Sequence, residues 1–238
     1  MPSESTPPSS SKNSNEPIPA VPAEVAPAEI HSGTILERWG ITARQLTDLV
    51  NENPSLRGIM LGYVAEHKFQ QLVEAHPHIS SSKKHNDHDR SRKHDRVIIF
   101  KSMEFTIEVK SLQTNLIKKV DGRWAGRAQV DGSDRRIVTF PDGTELNTTL
   151  LLRGQFDILA VNCFAFENKW NFAFALNRDL PKSSFKKYTQ AQRDGLIASL
   201  IPVTWPPEPP FVSDPFELVE RLYLERSKPS GGTFASRS

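Results

Sequence analysis

From Arg96 onward the chain changes period: "RVIIF" and "EFTIEVKSL" read as two strands joined by a short turn at about Lys101 and Ser102, an antiparallel hairpin. In the second strand Phe105, Ile107 and Val109 fall on one face, and Thr106, Glu108 and Lys110 fall on the other. Upstream, "TARQLTDLVNENPSLRGIMLGYVAEHKFQQLVEAH" reads as two helices. The first ends near Asn51, and the second starts at Asn53 as N-cap with Pro54 at its first position. Ile59, Tyr63, Phe69 and Val73 keep helical steps only if Glu66 is included, which sets a carboxylate in the apolar stripe. Such a carboxylate needs an ion partner or a metal, unless it sits at the stripe's edge and reaches water or a lysine.

Downstream, Asp-Gly pairs at 121/122, 131/132 and 142/143, each flanked by strand-forming residues, predict hairpin turns and hence an inserted β-meander over about 117–150. "QFDILAVNCF" and "KWNFAFAL" supply two more strands, the first almost continuously apolar and so interior to a sheet. "TQAQRDGLIASL" has helical spacing after Thr189 as N-cap. The prolines of "PVTWPPEPPFVSDP" argue against regular structure, leaving an extended segment packed through Trp205 and Phe211. "DPFELVERLYLERS" reads as a final helix starting from Asp214.

Composition adds boundaries to this pattern. Of 18 prolines, seven lie in residues 1–32 among Ser, Glu and Ala, so that stretch is expected to be a disordered tail, as is 226–238 at the other end. A chain of 238 residues supports one main domain, expected over 33–225. The first 32 residues carry one Lys against four Glu, or −3, so with a net charge of +2 the remainder holds +5, a bias toward an anionic partner. The single Cys163 has no intramolecular partner, which excludes an internal disulfide framework and suits a reducing compartment. The N-terminus lacks the regions of a signal peptide, and the longest apolar run, "FDILAVNCFAF", is too short to span a bilayer as a helix. A cytoplasmic protein with no membrane contact is the expectation.

The segment "SSSKKHNDHDRSRKHDR" has no apolar residue before its end and reads as a surface loop. His85, His88, His94, Asp87 and Asp89 offer zinc ligands, although neither cysteines nor a second element support a structural zinc site. Its Lys83, Lys84, Arg90, Arg92 and Lys93 suit a phosphate backbone, as do Arg135 and Arg136 in the meander.

Hydrolysing a phosphodiester needs an activated water and charge stabilisation at the phosphoryl oxygens. A hard divalent ion held by two or three converging oxygens supplies most of this. Glu108 on one strand and Asp95, immediately before its hairpin partner, are placed to converge; Asp89 takes that place if the strand begins earlier. Lys110 shares the face of Glu108 and is placed to orient the water or to stabilise the transition state. Asp157 is the weaker candidate, better suited to anchoring a loop or pairing with an arginine.

The run "HDRVIIFKSMEFTIEVKSL" resembles the signature of the PD-(D/E)XK nuclease superfamily, with Asp95 at its Asp, Glu108-Val109-Lys110 at its E-x-K triplet and His94 where the signature carries Pro. The likeness runs over roughly residues 54–200. It implies a restriction endonuclease-like α/β fold, a mixed β-sheet flanked by helices. It also implies Mg2+ (or Mn2+) held by Asp95, Glu108 and the backbone carbonyl of Val109, with Lys110 as the catalytic lysine and Glu66 as an accessory helix carboxylate at catalysis and metal. That family usually has a helix after the triplet, where this sequence reads as a meander. The implied function is a metal-dependent DNA endonuclease, with a restriction-type enzyme cutting double-stranded DNA as a homodimer its fuller form. The alternative is a noncatalytic nucleic-acid-binding or scaffold protein retaining the fold.

Overall fold

The protein is described by a computed structural model over residues 33–84 and 95–228. The tail expected over 1–32, most of that over 226–238, the histidines and aspartates weighed for zinc, Asp89, and Arg90, Arg92 and Lys93 lie outside the described residues. The described residues fall into two compact units, divided between Glu52 and Asn53. In the first, α1 (Ile35–Trp39) is closed by a Thr34–Glu37 capping box and by Gly40 at φ 62°. A second helix, α2 (Ala43–Glu52), carries an Arg44–Asp48 ion pair at 3.0 Å one turn apart.

The second unit begins with α3 (Pro54–Glu74), with Asn53 at the N-cap position and Pro54 in the first turn as the sequence predicts, although the Asn53 side chain makes no capping hydrogen bond. Only Ala65, Phe69 and Val73 of this helix are buried, whereas Ile59 is 60% and Tyr63 50% exposed. The apolar stripe therefore faces the core only in the helix's second half. A five-stranded sheet follows: β1 (Ile79–Lys84), β2 (Arg96–Phe100), β3 (Met103–Ser111), β8 (Ile158–Asn162) and β9 (Phe172–Leu176), in that spatial order. The β3/β8 pair is parallel and the others antiparallel, so the sheet is mixed. Lys101 and Ser102, at φ 49° and 66°, form the two-residue turn between β2 and β3.

β1 corrects the reading of 80–84 as loop. Its backbone pairs with β2, and an edge strand with exposed side chains needs no apolar alternation. One face of the sheet packs Ile98, Phe105, Ile107 and Phe174 against Phe69 and Val73 of α3 and against Leu218 and Val219 of α6 (Pro215–Ser227), whose N-cap is Asp214. The other face packs Leu159, Val161, Ala173 and Ala175 against a second layer. This layer consists of β4 (Lys118–Val120), β5 (Arg123–Gln129) and β10 (Leu200–Trp205), with Phe166 of α4 (Phe164–Glu167).

The insertion is thus not one meander. Turns form at Asp121-Gly122 and around Gly143, but Asp131-Gly132 lies inside β6 (Asp131–Thr139), which pairs with β7 (Glu145–Leu150) as a separate ribbon. β10 corrects the reading of its prolines as excluding a strand: β10 lies at the sheet's edge, where Pro202 sits opposite Arg127. α5 (Gln190–Gly195) keeps the predicted Thr189 cap but is shorter than its pattern, since Ile197 turns to pair with Lys182. No helix among the described residues is long and apolar enough to cross a membrane.

Candidate active site

The alternation of β3 decides where its polar residues go. Phe105, Ile107 and Val109 enter the core with α3 and α6, so Glu108 and Lys110 project from the opposite face. Glu108 is 5% exposed, and its Oε1 lies 2.7 Å from Lys110 Nζ. A carboxylate this deep is retained only with a partner.

Asp95 sits where β2 begins and finishes the ladder with its side chain. Its amide donates to the Ile107 carbonyl at 3.1 Å, and its Oδ2 accepts from the Val109 amide at 2.8 Å. The N–H and C=O of one strand residue point to the same side. Since the Val109 amide turns to Asp95, its carbonyl is directed to the same edge, past the start of β2. The sequence-predicted Asp95, Glu108, Val109 and Lys110 thus come together at one end of the central strand.

Burial dominates the electrostatics of the site. Burial, together with the negative charge of Asp95, pushes the Glu108 carboxyl up to about 7, against the opposing pull of Lys110 and Arg136. Burial alone would lower Lys110, but Glu108, Asp95 and Asp131 outweigh it and hold the amine above its ordinary value. Lys110 is therefore a cation at neutral pH, suited to stabilising negative charge rather than to accepting a proton. An all-oxygen donor set in which a buried carboxyl resists ionisation fits a hard divalent cation.

Glu66 is not brought to this group. Its Oε2 lies 2.9 Å from Lys84 Nζ, and α3 packs on the sheet face opposite Glu108. Among the described residues no three His, Cys, Asp or Glu side chains group as a metal site. Lys84 is correspondingly engaged, and its ammonium lies 4.4 Å from the Tyr63 ring. Lys83 is exposed on β1, and Arg135 is exposed with its Nη1 donating to the Asn147 carbonyl at 3.1 Å. Asp157 anchors, as its alternative reading had it: it accepts from the Thr106 amide at 2.9 Å and pairs with Arg226 of α6. Asp131 was missed because its Asp-Gly pair reads as a turn, whereas the strand containing it carries it toward Lys110.

A solved structure of a bacterial homing endonuclease matches this fold over 71% of this chain and 96% of that one, at 13% identity and a TM-score of 0.37. So loose a superposition transfers no residue roles. No protein-family model and no curated protein matches the chain.

Proposed function

We propose that the protein is a magnesium-dependent endonuclease that hydrolyses phosphodiester bonds in DNA. The observation carrying this reading is the meeting of Asp95, Glu108 and Lys110 at one end of β3, with Asp95 on the Val109 amide and Lys110 Nζ 2.7 Å from Glu108 Oε1. This is the arrangement that the resemblance to the PD-(D/E)XK nucleases implies. Asp95, Glu108 and the Val109 carbonyl would hold Mg2+ or Mn2+, which keeps most of its waters and so needs few protein oxygens. Bound there, such an ion would supply Lewis acidity toward a phosphoryl oxygen and toward a water.

The protein's own part is positioning and charge. Glu108 holds the Lys110 ammonium by its 2.7 Å contact, fixing a donor aimed at the negative charge that develops on the phosphoryl oxygens. Asp95 fixes the end of β3 by taking the Val109 amide. Lys83, Arg135 and Arg136, with Arg90, Arg92 and Lys93 between β1 and β2, supply positive charge for the DNA backbone. Double-stranded DNA cut by a homodimer in the cytoplasm, in the manner of a restriction enzyme, is the fuller form of the proposal.

Nicking of supercoiled plasmid DNA tests it. The wild-type protein should nick with Mg2+ and stop in EDTA, and Lys110→Ala and Glu108→Ala should each be slower by about a hundredfold or more. Undiminished nicking in both variants removes the assignment. Absence of nicking in the wild type, with DNA binding kept, selects the noncatalytic alternative.

A further inference from the structure

β6 departs from a regular ladder beside the site. Asp131 stands opposite Leu150 and Arg136 opposite Thr148, so five steps along β6 cover two along β7. Extra residues on one strand of a pair re-aim side chains, and bulges of this kind are frequent next to active sites. The charges at both ends of the irregular stretch are felt at the site: Asp131 helps to raise Lys110, and Arg136 helps to lower Glu108.

The guanidinium of Arg136 occupies space that a glycine leaves open. A methyl group at Gly132 would stand 3.2 Å from Arg136 Nη1, tighter than an ordinary carbon contact. Nε and Nη2 of Arg136 are shut off from solvent and have no hydrogen-bond partner among the described residues. Leaving buried donors unmade is costly, and a planar fork of N–H groups matches two oxygens of a phosphate.

We infer that Arg136 binds the non-bridging oxygens of the phosphodiester undergoing hydrolysis, which makes it a substrate-contacting residue delivered by the inserted β6–β7 ribbon rather than by the central sheet. The inference rests on the hydrolytic reading above. It assigns the ribbon a part in the chemistry as well as in DNA affinity, and gives Gly132 its purpose.

The experiment compares wild type, Arg136→Ala and Arg136→Lys in three measurements: plasmid nicking with Mg2+, equilibrium binding of a short DNA duplex with Ca2+, and thermal melting in EDTA. Arg136→Ala should nick about a hundredfold more slowly, with affinity reduced by about tenfold. Added guanidinium ion at low concentration should restore part of its rate but none to Lys110→Ala. Arg136→Lys should remain slow, because an ammonium cannot span two oxygens. Melting of Arg136→Ala should hold or rise, since two unmade donors are removed. Nicking by Arg136→Ala at the wild-type rate overturns the inference, and so does a slow variant that melts early and resists guanidinium. Absence of nicking in the wild type removes the hydrolytic reading alone. Binding then decides, a tenfold weaker Arg136→Ala keeping the phosphate contact and an unchanged one overturning it.

Discussion

Glu108 and Lys110 lie two residues apart on one face of β3, Oε1 to Nζ 2.7 Å, at a point where the strand is buried. On an exposed strand such a pair contributes little to stability. Here the carboxyl is pushed up to about 7 by burial and by Asp95, so the pair is held at a cost to the fold. A carboxylate kept buried against its own solvation energy is costly unless a positive charge compensates it.

That cost has a pH signature. Glu108 is raised from 4.5 to about 7 in the folded protein, so between those values the folded state binds more protons than the unfolded state. Stability then falls as pH rises through this window and is lowest above it. In EDTA, the wild type should lose on the order of 1–3 kcal/mol between about pH 5 and pH 8 that Glu108→Gln does not lose. Parallel pH profiles of the two proteins in chemical denaturation would contradict the assignment.

Asp157 performs at the base of β3 what Asp95 performs at its end. It takes the Thr106 amide at 2.9 Å and the Thr106 hydroxyl at 3.2 Å, and it pairs with Arg226, whose Nη1 also reaches the Glu104 carbonyl at 3.0 Å. Asp157→Ala should cost about 2–4 kcal/mol by leaving an amide and a guanidinium short of partners. Nicking per folded molecule should stay within about threefold of wild type. Lost activity at full stability would move Asp157 into the chemistry.

The parts of this fold legible in the sequence are those written in local chemistry. The β2–β3 hairpin shows in its alternation, α6 in Asp214 and Pro215, and α5 in the Thr189 cap. The misread parts are set by distant partners. β1 is a strand because β2 offers it an edge, and Ser81–Lys84 carry no apolar signal of that. β10 accommodates Pro202 because only one of its edges is paired, against β5 more than 70 residues earlier, Leu200 facing Gln129. Asp131-Gly132 has turn chemistry, yet serves a bulge that brings Arg136 over Gly132. At the site, the E-x-K alternation located Glu108 and Lys110, while the third carboxylate near Lys110 came from the ribbon and not from the helix.

Cys163 should be inert. It is 1% exposed, and burial pushes its thiol up to about 12, so almost no thiolate is present near neutral pH. Iodoacetamide should leave the native protein unmodified at neutral pH and alkylate it fully in denaturant, as mass spectrometry would read. Rapid alkylation of the native protein would place Cys163 outside the core.

Glu66 separates a structural carboxylate from a metal ligand. It pairs with Lys84 at 2.9 Å and supports the charge of Arg96, which is 3% exposed and is pushed down by burial while Glu66, Glu74 and Asp95 oppose that shift. Removing the Glu66 charge leaves a buried guanidinium with less compensation, so Glu66→Gln should cost about 1–3 kcal/mol at neutral pH. Its Mn2+ affinity should stay within about threefold of wild type, because the ion is expected on Asp95, Glu108 and Val109 on the far side of the sheet. Glu108→Gln should show the reverse, with Mn2+ binding weakened by about tenfold or more and stability gained above pH 7. Calorimetric Mn2+ titration beside denaturant unfolding of both variants reads the two effects separately. A Glu66→Gln protein that loses Mn2+ as fully as Glu108→Gln would return the helix carboxylate to the metal.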